Sequence, residues 1–222
     1  MSKPQRATGH FPWRAVVFTV LSIALVVAIA VTVAFTFFYQ HTSADRPENL
    51  YGEPIAGKSS ATGDAIVEGA LAYARTGPKY ASKYYQGGKP DDGYGVCTDL
   101  VAAALENAGF DLQNLVDADI RAHPERYNVP TPDPNIDYRR VDNLLTYFEA
   151  NAENLPTDLG ELNGWQPGDI VIFPQHIGVV SDRRDAQGIP YLIHHEGPWQ
   201  RHFENDALVK RRPILGHFRL QQ

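Results

Sequence analysis

Cys97 is the single cysteine among 222 residues. It stands where the glycine-broken stretch GYGV gives way to the apolar run CTDLVAAALENAG. A thiol becomes a useful nucleophile once it ionises, and its ordinary pKa is about 8.5. Backbone N–H groups and the positive dipole at a helix N-terminus lower that value, as does a neighbouring imidazolium. The first device is present if CTDLVAAALENAG is a helix, and Thr98 and Asp99 suit its first turn, where the Asp99 carboxylate can cap free N–H groups. The second needs a histidine delivered by the fold. His176 is the best placed of eight, because it opens the strand-like run HIGVVSD after the turn FPQ, and a strand start is a rigid platform for a general base. His194 and His195 close the next run, YLIHH. Either can orient the imidazole through its second nitrogen from a neighbouring antiparallel strand. Periodicity does not choose between them, since His194 shares a face with Leu192 and His195 with Tyr191 and Ile193. His123, His202 and His217 carry no companion signal and are expected at the surface or in the core. His10 and His41 flank an apolar span.

That span, Ala15–Phe38, runs 24 residues without a charge. As a helix it measures about 36 Å, enough for a bilayer core of about 30 Å. A secretory signal has a shorter apolar region of about 7–15 residues and a small-x-small cleavage site, whereas this run ends in AFTFFYQ. An uncleaved anchor over 15–39 follows. Lys3, Arg6 and Arg14 precede it, and Asp45, Arg46 and Glu48 follow, so residues 1–14 are expected in the cytoplasm and the rest in the periplasm or outside the cell. The first 44 residues hold three basic and no acidic side chains, leaving 17 basic against 26 acidic beyond them. That balance argues against nucleic acid as a partner and leaves the helix as the membrane contact. An unpaired cysteine in an exported domain is a reactive group, an intermolecular bridge or a buried inert thiol.

Residues 40–63 read as a linker, polar and without an apolar period. The globular domain spans 64–222, long enough for one core. Helical spacing is expected over Asp64–Arg75, from Cys97 to the neighbourhood of Gly109, and over Asp111–His123 and Val141–Asn151. The four prolines of Pro124–Arg140 make that stretch irregular. Short β-rich runs follow at 169–173, 176–182, 191–195 and 214–220. Helices first and antiparallel strands afterwards define an α+β class.

The ordered set YYQGG, VCTDLV, WQPGDIVIF, HIGVVSD and LIH resembles the NlpC-type cell-wall cysteine peptidases, a circularly rearranged relative of the papain fold. The likeness covers about residues 84–194. More closely, GVCTDLV, PDPNIDYRRV and HIGVVSDRR resemble a bacterial family of exported proteins catalogued as a domain of unknown function within that fold group. The resemblance implies Cys97 as nucleophile, His176 as base and His194 as the third, orienting residue. It implies that Tyr84, which starts the Tyr-x-x-Gly-Gly loop, lies beside the thiol and joins the Cys97 N–H in stabilising an oxyanion. Asp99 is carried as a further candidate on the substrate side. Arg139, Arg140, Arg183 and Arg184 are candidates for substrate carboxylates, which suit a bidentate guanidinium. Two departures bear on the cleft: Thr-Asp follows the cysteine in place of Ser-Gly, and about 30 residues, Asp111–Arg140, expand the region after the helix.

The expected activity is cleavage of an amide or peptide bond, with peptidoglycan stem peptides as the implied substrate and no cofactor. The alternatives are a non-catalytic wall-binding or scaffold domain, and an acyltransferase that passes the same thioester to another acceptor. HHE at 194–196 offers metal ligands, but neither HExxH nor paired cysteines accompany it, so no metal site is expected.

Overall fold

The computed structural model describes residues 13–40 and 59–221, with side chains omitted for 13–19 and 34–40. The chain forms two compact units, 1–41 and 42–222. In the first, α1 (Trp13–Gln40) is a single helix. Its apolar side chains from Val20 to Val33 are all more than half exposed. Those described side chains cover about 21 Å of helix, and over the described residues no helix is long and apolar enough to cross a membrane. The rest of the expected span, the cytoplasmic tail and linker residues 41–58 lie outside the described side chains.

The second unit begins with α2 (Ala61–Arg75). The helix starts at Ala61 rather than Asp64, because the Ser60 hydroxyl accepts the Gly63 N–H at 2.9 Å and so caps it. Two short parallel strands follow, β1 (Lys79–Tyr80) and β2 (Tyr94–Gly95), the second leading into α3 (Cys97–Asn107). Next come α4 (Leu112–Ala122), 3₁₀ turns at Pro124–Arg126 and Asp137–Arg139, and α5 (Val141–Asn151). The remainder is β3 (Glu153–Asn154), β4 (Ile170–Phe173), β5 (His176–Arg184), β6 (Pro190–Ile193), β7 (Glu204–Asn205), the short α6 (Ala207–Lys210) and β8 (Gly216–Arg219). The larger sheet is antiparallel throughout, in the order β3-β8-β4-β5-β6-β7. The architecture is α+β, as the order of periodicities indicates.

Alternation along the central strands separates two cores. Ile170, Ile172, Ile177, Val179 and Ile193 join Leu100, Val101 and Ile66 beneath α2 and α3. Val171, Phe173, Val180 and Leu192 pack with Trp165 and Leu208 on the other face. Gly178 has a specific duty: a Cβ there would lie 2.8 Å from the Leu192 side chain and 3.0 Å from the Ile193 carbonyl, so glycine lets β6 close on β5.

Asp169, of the Pro-Gly-Asp run, ties the sheet to the loop before it. Its carboxylate accepts the Gln166 N–H at 2.7 Å, both arms of the Arg219 guanidinium at 2.7 and 2.8 Å, and His217 Nε2 at 2.8 Å. His217 Nδ1 meets the Pro156 carbonyl at 2.8 Å, so each ring nitrogen faces an oxygen. Trp165 stacks on the ring at 3.9 Å.

Candidate active site

Cys97 is the first residue of α3, and its sulfur lies within the influence of three backbone N–H groups: that of Ile177 on β5, that of Thr98 and its own. The last two belong to the helix N-terminus. The first docks the helix onto the sheet at the residue after His176. The Asp99 carboxylate takes the Val96 N–H at 2.8 Å, leaving the two donors nearest the sulfur for the thiol. Asp99 is thus the expected cap, and it is also half of a buried bidentate ion pair: Arg139 Nε lies 2.7 Å from Oδ1 and Nη2 2.9 Å from Oδ2. This pair engages with each other the two groups that the sequence reading offered to substrate. Arg139 also stacks on Tyr85 at 5.1 Å.

His176 is aimed by a tight β4–β5 turn in which Phe173 pairs with His176. Pro174 and Gln175 form the turn, and Gln175 has φ 57°, the left-handed region that costs a residue with a Cβ about 1 kcal/mol or more. His176 Nε2 lies 2.8 Å from His194 Nδ1, and His194 Nε2 lies 3.0 Å from Asn205 Oδ1. The Asn205 amide nitrogen faces the His202 carbonyl at 3.4 Å, so its oxygen is the end that accepts from His194. His194 Nδ1 must then accept from His176 Nε2–H, which leaves His176 Nδ1 unprotonated and available.

The pleat settles what periodicity left open. His194 turns to His176, while His195 turns to Tyr73, whose hydroxyl lies 3.0 Å from Nδ1, and packs against Tyr80 and Phe203. Gly95 makes room for that tyrosine, since a Cβ there would sit 2.2 Å from the Tyr73 hydroxyl.

Burial dominates the ionisation of all these groups. Cys97 is only 6% exposed, and desolvation pushes its thiol up to about 11 against the pull of the three N–H groups. Desolvation, then the charges of His194 and Arg211, hold His176 down at about 2, and burial brings His195 to about 4. Burial therefore favours a neutral thiol and neutral imidazoles, against the thiolate that the helix dipole favours.

The remaining candidates are dispersed. Tyr84 is 56% exposed; its hydroxyl donates to Asp133 at 3.1 Å and accepts from Asn135 at 3.0 Å. The tyrosines whose ionisation Cys97 opposes are Tyr73 and Tyr80. Arg183 and Arg184 close β5, about 26 Å along the strand from His176. Arg184 spends its guanidinium on the carbonyls of Leu162, Gly188 and Trp165. Arg140, paired with Asp137 at 3.8 Å, lines a cavity of about 310 Å³ that includes Gln175, beside His176. Sequence reasoning missed Asn205 and Tyr80. Asn205 sits on a two-residue strand with no periodicity to report it, whereas Tyr80, just after Pro78 on β1, was masked by the tyrosines at 84 and 85. Among the described residues no group of histidine, cysteine and carboxylate side chains is arranged to hold a metal ion.

The molecule is an α+β domain in which a helix-terminal cysteine meets a buried histidine–histidine–asparagine chain. It belongs to the family described as Domain of unknown function (DUF1287), whose pattern matches residues 67–220 and so includes Cys97, His176, His194 and Asn205. It is similar to "Uncharacterized protein YijF" of Escherichia coli (strain K12), at 38% identity over 151 residues, 64% of this chain and 72% of that protein. No solved structure matches the chain.

Proposed function

We propose that this protein is a membrane-anchored, exported cysteine hydrolase of papain-like, NlpC-type fold that cleaves an amide bond in peptidoglycan stem peptides. One observation carries the reading: the Cys97 sulfur lies within the influence of the Ile177 N–H, directly beside His176, whose imidazole is oriented by His194. His176 Nδ1 is the base. It takes the Sγ–H proton as sulfur attacks the amide carbon, and the oxyanion is met by the Cys97 N–H. The same proton passes to the leaving nitrogen as the C–N bond breaks, giving a thioester and a free amine. Water then attacks the thioester, His176 takes its proton and returns it to sulfur. His194 holds the ring's tautomer and aim throughout, with Asn205 fixing His194 in turn. Substrate entry supplies the positive step the neutral ligand-free pair lacks, because a developing carbonyl charge favours the imidazolium.

The anchor rests on the uncharged apolar run, and peptidoglycan rests on the resemblance. The test incubates the full chain in detergent with purified peptidoglycan and reads released fragments by mass spectrometry. New amine and carboxyl termini that vanish with Cys97→Ala support the reading; equal release by the variant overturns it. The alternative outcome is transfer of the same thioester to an amine acceptor in place of water. Added glycinamide would then appear in the product.

A further inference from the structure

Beside Asn205 the fold opens a cavity of about 510 Å³ lined also by Glu196, Asp206, Lys210, Arg211 and Arg212. Its charges are not balanced. Arg211 is paired with Glu196, and Lys210 lies 2.8 Å from Asp206. Each carboxylate thus has its own cation. Arg212 is exposed and, among the described residues, has no ion-pair partner. At the floor, Asn205 gives its oxygen to His194, while its amide nitrogen has only the long 3.4 Å bond to His202. A planar guanidinium and a spare amide N–H facing one small polar cavity match a planar carboxylate.

We propose that this cavity binds a free carboxylate on the substrate of the Cys97 site, with Arg212 as the anchoring residue and the Asn205 amide as a second donor. The word substrate rests on the cysteine-hydrolase reading, whereas binding of the anion does not. The cavity and the histidine chain share Asn205, which lines the one and accepts from His194 in the other. A carboxylate there also acts on the base. The Arg211 charge disfavours protonation of both His176 and His194, and an anion beside Arg211 and Arg212 offsets it. A correctly terminated substrate would therefore carry with it the charge that makes His176 a better proton acceptor. A neutral terminus would not.

The experiment titrates the full chain bearing Cys97→Ala with N-acetylalanine and with N-acetylalaninamide, followed by NMR of the histidine rings. The acid is expected to bind at least about tenfold more tightly than the amide. Arg212→Gln should reduce its affinity to that of the amide, and the acid alone should move the His194 ring signals. Equal binding of acid and amide, no binding of the acid, or unchanged affinity in Arg212→Gln overturns the proposal. The peptidoglycan assay on the unmodified chain separates the two ideas. Absence of cleavage with the acid–amide difference intact removes the hydrolase reading and leaves the anion site standing.

Discussion

His217 on β8 and His176 on β5 lie two strands apart in one sheet, both buried, both hydrogen-bonded to a further side chain. His217 ends on the Asp169 carboxylate and a carbonyl, so both nitrogens are engaged by oxygens and the ring is held beside the Asp169–Arg219 ion pair. His176 leads through His194 to the neutral amide of Asn205, and its own Nδ1 makes no such bond. A histidine whose two nitrogens are both engaged, one of them by an ion-paired carboxylate, is a strut. An amide terminus fixes orientation without fixing charge, which is what a residue that must gain and lose a proton requires.

The sharpest way to break this comparison is to disable each histidine in turn. His176→Ala is expected to lower peptide-bond cleavage by about 10⁴-fold or more, with Cys97→Ala alike. His217→Gln should leave the rate per folded molecule within about twofold, as measured by cleavage rate at matched folded fraction. Stability should show the reverse. Asp169→Ala strands the Arg219 charge and leaves His217 Nε2 without its acceptor, and should cost about 3–5 kcal/mol in urea unfolding, whereas Asn205→Ala should cost about 1 kcal/mol. Similar losses for the two would erase the distinction between strut and relay.

A subtler change converts one chain into the other. Asn205→Asp places a carboxylate on His194, and NMR titration should show His194 protonating at least about one pH unit higher than in the parent. An unchanged midpoint would mean the amide is not what holds the chain neutral. The mildest effect is on stability against pH. His176 is held at about 2, below its unfolded value of 6.5, so the unfolded chain binds more protons between them. Its contribution is complete above 6.5 and is lost as pH falls. Cys97, at about 11 against 9.0 when unfolded, acts oppositely: above 9.0 the unfolded chain releases its proton first, and stability declines as pH rises. Urea midpoints should form a plateau from 6.5 to 9.0, and a maximum below 6 would contradict the buried neutral His176.

The elements around the site were readable because each has its own periodic pattern and its own stop. Val141–Asn151 was bounded as observed, Cys97 was placed at the helix start, and His176 at the head of its strand. The His194 alternative needed the pleat of β6 against β5, a tertiary fact that alternation alone leaves two-valued. Asn205, on a strand of two residues, offers no period at all. Arg139 and Asp99 are 40 residues apart, and nothing local in either announces the pair. The ionisation of the thiol turns on a related contrast: a helix terminus is visible in sequence, whereas the depth to which packing buries it is not.

The expanded stretch after α3 has a consequence for how this chain can be altered. Arg139 closes that stretch and, through Asp99, grips the first turn of the helix that carries Cys97. The insertion is therefore a clasp, not an ornament. Shortening residues 111–140 would unfasten the Cys97 helix, so a chain trimmed there would keep Cys97, His176 and His194 and lose the hold on where the sulfur points.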